Sequence, residues 1–165
     1  MKRLVIVRHA KAVPYGYHDD ILRDLQDRGK NDANIISKEL NKKGIMPDAM
    51  ISSPAKRALK TAKIFAGNLG FEKERIEENE DIYEGITASE FIDLINDLPD
   101  NMNTAFFFGH NPGFHFFVST LLNFYNEDMP TCATIGINFD TDNWKDIQAH
   151  TGSMEFRLIP KMFRY

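Results

Sequence analysis

Leu4-Val5-Ile6-Val7 followed at once by Arg8-His9-Ala10-Lys11 is the stretch on which the fold turns. Four consecutive apolar residues read as a strand buried on both faces, over residues 3–7, and strands of that kind belong to parallel sheets covered by helices. A guanidinium and an imidazole then stand where the strand ends, at the sheet edge along which open α/β folds present their chemistry. Ala105-Phe106-Phe107-Phe108 repeats the pattern and is followed by Gly109-His110-Asn111-Pro112-Gly113. Ala49 to Ser52 makes a third such strand, with Arg57 just inside the helix expected after it, for which Ser53 is the expected N-cap and Pro54 the first helical residue.

Outward from these strands, apolar runs alternate with helical periodicity, which predicts an α/β/α sandwich with a mostly parallel central sheet. A polar loop containing Pro14, Gly16 and Asp19-Asp20 precedes a helix over about 30–43, with Ala33, Ile36 and Leu40 on one face and a stop at Gly44. Ala58, Ala62, Phe65 and Leu69 mark the next helix. A short strand near Ile76 leads to a Tyr83-Glu84-Gly85 turn. Thr87-x-x-Glu90 reads as a capping box for a helix with Phe91, Leu94, Ile95 and Leu98 inward, ended by Pro99. Asn111 and Pro112 start a helix carrying Phe114, Phe116, Phe117, Val118, Leu121 and Leu122, aromatics that helical spacing assigns to the core. Thr134–Phe139 and Ser153–Ile159 are the last strands, joined by the Asp140–Asn143 turn, and the tail beyond Pro160 is expected at the surface. Strand order cannot be read from this pattern.

With 165 residues, 42% of them hydrophobic and 27% charged, the chain has the make-up of one ordinary globular domain, 1–165. A formal charge of −4 gives no global positive field for nucleic acid, so any affinity for phosphate must be local. The single cysteine, Cys132, excludes an intrachain disulfide and a CxxC pair, which suits a reducing cytoplasm. The apolar run after Met1-Lys2-Arg3 stops at Arg8, too short for a signal peptide core or a membrane span, so no membrane partner is expected. There is no HExxH, no glycine-rich P-loop and no aspartate cluster of metal-loop spacing, and neither metal nor cofactor is called for. The oligomeric state is not legible, and a monomer is compatible with everything above.

Arg8-His9, Ser52-Ser53-Pro54-x-x-Arg57 and Gly109-His110-Asn111-Pro112 together resemble the histidine phosphatase superfamily, whose fold is that of phosphoglycerate mutase. Within it, Arg8-His9-Ala10-Lys11, Arg23-x-Leu25-x-x-x-Gly29 and Gly109-His110-Asn111-Pro112-Gly113 are similar to the small SixA-type phosphohistidine phosphatases, over residues 2 to about 160. The resemblance implies that His9 attacks phosphorus to form a phosphohistidine intermediate, while Arg8, Arg57 and His110 hold the nonbridging oxygens. Asn111 is a further phosphate contact, and Arg23 and Lys11 are accessory candidates, although Asp20 and Asp24 offer Arg23 plain ion-pair partners. Glu84 occupies the place where larger members carry a general acid, which an alkoxide leaving group needs and a protonated phosphoimidazole does not. The implied substrate is phosphohistidine on a signalling protein. A small phosphate ester, with Glu84 as acid, is the alternative, and a non-catalytic phosphoprotein-binding module is the rival from outside enzymes. His18, His115 and His150 stand outside any motif and read as loop or helix-face residues.

Overall fold

The structure, a computed structural model, describes residues 1–14, 16 and 19–164. The strands are β1 (Lys2–Arg8), β2 (Ala49–Ser52), β3 (Glu77–Glu78), β4 (Thr104–Gly109), β5 (Thr134–Phe139) and β6 (Ser153–Leu158). The helices are α1 (Asp27–Lys42), α2 (Lys56–Leu69), α3 (Glu80–Glu84), α4 (Ala88–Asn96) and α5 (Gly113–Leu121). The strands form one sheet in the order β3-β2-β4-β1-β5-β6. β1, β2, β3 and β4 pair in parallel, β5 runs antiparallel to β1, and β6, antiparallel to β5, returns to the common direction.

The apolar runs of β1 and β4 are explained by helices on both sides. Leu4, Ile6, Ala105 and Phe107 face one cluster with Phe91, Phe114, Phe117 and Trp144, beneath α4 and α5. Val5, Val7, Phe106 and Phe108 face the other, with Ile36, Leu40 and Phe65 from α1 and α2. The period-2 alternation of side chains thus divides one continuous run between two cores. Residues Thr87 and Glu90 form the expected capping box at α4.

Four local expectations are revised. Helix α2 starts at Lys56 with Ala55 as its N-cap, because Ser53 is still held to the sheet, its N–H donating to Phe108 O at 2.9 Å. The Tyr83-Glu84 pair is the end of helix α3, capped by the Asn79 side chain, rather than a plain turn. Phe116 is exposed, since it lies on the opposite side of α5 from Phe114, Phe117, Val118 and Leu121. The tail leaves Lys161 and Met162 exposed but is tied down by Arg164, which donates to the buried Asp32.

Candidate active site

Three neighbouring strands, β2, β4 and β1, end side by side. Arg8 is in register with Gly109 and Ser52 with Phe108, so the residues that follow, His9, His110 and Ser53, emerge along one edge of the sheet. There Arg8, His9, Lys11, Arg23, Arg57, His110 and Asn111 line a single open hollow of about 300 Å³, together with Ala12, Asp20 and Thr131. The seven positions that the sequence nominated from the strand ends and loops therefore share one site. The eighth, Glu84, lies exposed at the end of α3 and does not line the hollow.

His9 is almost completely buried, with its Nδ1 2.7 Å from Ala10 O. A carbonyl only accepts, so Nδ1 carries the proton and Nε2 keeps its lone pair. Burial pushes the His9 pKa down to about 4; the Ala10 contact opposes this, and Arg57, Arg8 and Arg23 lower it further. The His110 ring centre is 5.3 Å from that of His9. Its Nε2 is 2.7 Å from Ser53 Oγ, and its Nδ1 is buried without a hydrogen-bond partner. Burial, then His9 and Arg57, push the His110 pKa down to about 3, while Asp20 works in the other direction. Both imidazoles are therefore neutral at pH 7 in the unliganded protein.

The guanidiniums are held from behind. Arg8 donates through Nη1 to Met129 O at 3.1 Å, and Asn111 donates to the same carbonyl at 2.8 Å. The Nε atoms of Arg8 and Arg57 and Oδ1 of Asn111 are buried and have no partner. Arg57 donates to Asp20 twice, from Nη1 to the main-chain oxygen at 2.8 Å and from Nη2 to Oδ2 at 3.1 Å. Arg23 meets Asp20 Oδ1 at 3.0 Å and Val13 O at 2.9 Å, whereas Asp24 turns away to Lys60 and Lys56. Tyr83 donates its hydroxyl to Asp20 Oδ2 at 2.8 Å and sets its ring edge-on to His110. Arg8, Lys11, Arg23 and Arg57 thus line the hollow beside one carboxylate, that of Asp20, a charge pattern suited to a small anion that accepts several hydrogen bonds at once.

Asp20 pairs with Arg23, as the sequence allows, but the sequence nominates neither it nor Tyr83, Ser53 or Thr131 for the site. Asp20 and Tyr83 reach it from loop and helix positions 63 residues apart, with no periodicity to announce the meeting. His115 lies on the face of α5 near Glu127 O and His150 on a loop against Leu122 O, as expected. His18 lies outside the described residues. Among the described residues no group of three or more His, Cys, Asp or Glu is gathered as a metal ion would require, and no helix is long and apolar enough to cross a membrane.

Comparison with known proteins agrees with this fold. The family model for the histidine phosphatase superfamily (branch 1) matches residues 4–114. SixA from Agrobacterium tumefaciens superposes with a TM-score of 0.80 at 21% identity, covering 96% of this chain and 98% of that one. The protein histidine phosphatase SixA complexed with tungstate gives 0.79 at 17% identity, covering 98% and 99%. Serine/threonine-protein phosphatase Pgam5, mitochondrial, of Drosophila yakuba is 33% identical over 75 residues, which are 46% of this chain. The chain spans about a quarter, 26%, of the length of that relative.

Proposed function

Since the chain belongs to the histidine phosphatase superfamily (branch 1), we propose that it hydrolyses phosphorylated substrates through a phosphoryl group carried on His9. The observation that carries this reading is the state of His9: Nδ1 donates to Ala10 O, which leaves the Nε2 lone pair free, the pKa is pushed down to about 4, and the residue lines a hollow with Arg8, Lys11, Arg23 and Arg57. A neutral imidazole so oriented needs no base to become a nucleophile. In the first step Nε2 attacks phosphorus and the leaving group departs. In the second, water attacks the phosphohistidine and returns the electron pair to Nε2. Arg8, Arg57 and His110, with the Asn111 side chain beside them, would hold the nonbridging oxygens and offset the charge that builds on them. The orphaned Nε atoms of Arg8 and Arg57 are donors available for that purpose.

For the substrate we favour phosphohistidine on a signalling protein in the cytoplasm. Among the described residues the hollow is open, which suits a phosphoryl group displayed on another protein. Departure as a neutral imidazole also fits a site in which Glu84 stands apart. A small phosphate ester is the second reading, favoured by the presence of a carboxylate, that of Asp20, in the hollow itself.

Phosphate release from a phosphohistidine-bearing carrier protein and from a phosphomonoester tests the reading, together with trapping of the phosphoenzyme. Wild-type protein should yield an acid-labile, alkali-stable phosphoenzyme that His9→Ala lacks. Absence of release from both substrates would leave only phosphate binding.

A further inference from the structure

Among the described residues lining the hollow, Asp20 is the one acid. Resting on the phosphatase reading above, we propose that Asp20 handles the proton: its carboxyl donates to the departing oxygen of a phosphate ester, and its carboxylate then takes a proton from the attacking water.

In the unliganded protein Asp20 accepts from Arg57, Arg23 and Tyr83. It is also partly open to solvent, with 23% of its side chain exposed, so protons can reach it. A phosphoryl dianion arriving at Arg8 and Arg57 competes for the same Arg57 donors. Two anions sharing one guanidinium favour protonation of one of them. Substrate binding thereby charges Asp20 with the proton that a poor leaving group requires. Among the described residues no other carboxylate has this relation to the site: Glu84 is exposed and does not line the hollow, and Asp24 is engaged by Lys60 and Lys56.

The steps balance. The His9 Nε2–P bond forms as the P–O bond to the leaving group breaks, and the Asp20 proton passes to the alkoxide, releasing an alcohol. Water then adds to phosphorus while Asp20 takes one of its protons, the N–P bond breaks, and its electron pair returns to Nε2. Hydrogen phosphate leaves, and His9 is again neutral with Nδ1–H on Ala10 O. A phosphohistidyl substrate departs as neutral imidazole and leaves the Asp20 proton in place; that proton passes to solvent before the carboxylate takes one from the attacking water.

The test is the dependence of kcat/KM on leaving-group acidity, measured for wild type, Asp20→Asn and Glu84→Gln over a series from dinitrophenyl to simple alkyl phosphates. Asp20→Asn keeps an oxygen acceptor between Arg23 and Arg57. It is expected to stay within about tenfold of wild type on dinitrophenyl phosphate and to lose about 10²- to 10⁴-fold on alkyl phosphates, the range of general-acid catalysis. Asp20→Glu, which restores a carboxyl, should recover the shallow wild-type dependence even where its overall rate is lower. Glu84→Gln should parallel wild type. An equal loss by Asp20→Asn across the whole series would reduce Asp20 to a positioning residue for Arg57 and overturn the proposal, as would a steeper dependence in Glu84→Gln. Should Asp20→Asn not fold, Asp20→Ser is read on the same plot. Failure of wild type to cleave any member of the series or a phosphohistidyl protein would instead refute the phosphatase reading, which separates the two outcomes.

Discussion

A nucleophilic imidazole must be uncharged when substrate arrives, and His9 meets that requirement through its surroundings. Desolvation penalises the imidazolium, and the neighbouring guanidiniums repel it, so the folded pKa falls from an ordinary 6.5 to about 4. The lowered value keeps the attacking form present as pH falls through 6.5. We therefore expect kcat/KM, corrected for the substrate's own ionisation near pH 6, to hold nearly level from pH 7.5 to 5 and to drop about tenfold per unit only below about 4. Initial rates with a phosphomonoester that is stable in acid measure this directly. An acid limb centred near 6.5 would show a solvated imidazole and contradict the site as described. Arg8, His9, Arg57 and His110 could be picked out in the sequence because Arg8 ends a strand, His9 and His110 directly follow strands, and Arg57 lies at the start of the helix after one. Asp20 could not: its meaning depends on Arg57, Arg23 and Tyr83 converging from three separate segments.

Helix α1 is placed against the loop after β1 by a close backbone approach at Gly29. A Cβ built there would lie 2.2 Å from Lys11 O and 2.9 Å from Lys11 N, atoms that cannot swing aside as a flexible side chain would. The same loop is stitched to the start of α1 by Gln26 N–H donating to Lys11 O, Val13 N–H to Asp24 O, and Gln26 Nε2 to Ala12 O. His9 lies two residues before Lys11, so a shift here is transmitted to the proposed nucleophile. Gly29→Ala should destabilise by about 1–3 kcal/mol, the usual range for overpacking, and lower kcat/KM. Gly67, inside α2, is the control: its Cβ would meet only Lys73 Cε at 3.8 Å, and Gly67→Ala should stabilise by up to about 1 kcal/mol with activity unchanged. Urea midpoints with initial rates on the two variants decide it; equal effects at both positions would remove Gly29 from the support of the site. The sequence displayed Gly29 only as part of a resemblance, because the contact that requires glycine lies 18 residues away along the chain.

At the level of the whole molecule, the two-sided sheet was legible because uninterrupted apolar runs such as Ala105–Phe108 have no other good burial. The reversed direction of β5 was not, since direction depends on where the 122–133 connection crosses and no periodicity records that. The same architecture couples global stability to the site, because both imidazoles are folded into the sheet edge in their neutral form. Their folded pKa values, about 4 for His9 and about 3 for His110, lie below the unfolded value of 6.5. Between these limits the unfolded chain binds more protons than the folded one, so stability is fully present above pH 6.5 and is lost as pH falls toward 4. Each histidine contributes up to about 1.4 kcal/mol per pH unit across that window, a large share of the roughly 5–15 kcal/mol that holds a domain folded. Urea unfolding at pH 7.5, 6 and 5 should therefore give a midpoint that declines steadily, and His9→Gln/His110→Gln should flatten the decline even where its stability at pH 7.5 is lower. A double variant with the wild-type slope would move the acid sensitivity to other groups. Asp24 does not mimic the effect over this range: burial raises its pKa, but the Lys60 ammonium, the Leu25 N–H and Lys56 together outweigh it and hold the carboxyl at about 2, so its contribution to stability changes only below about pH 5.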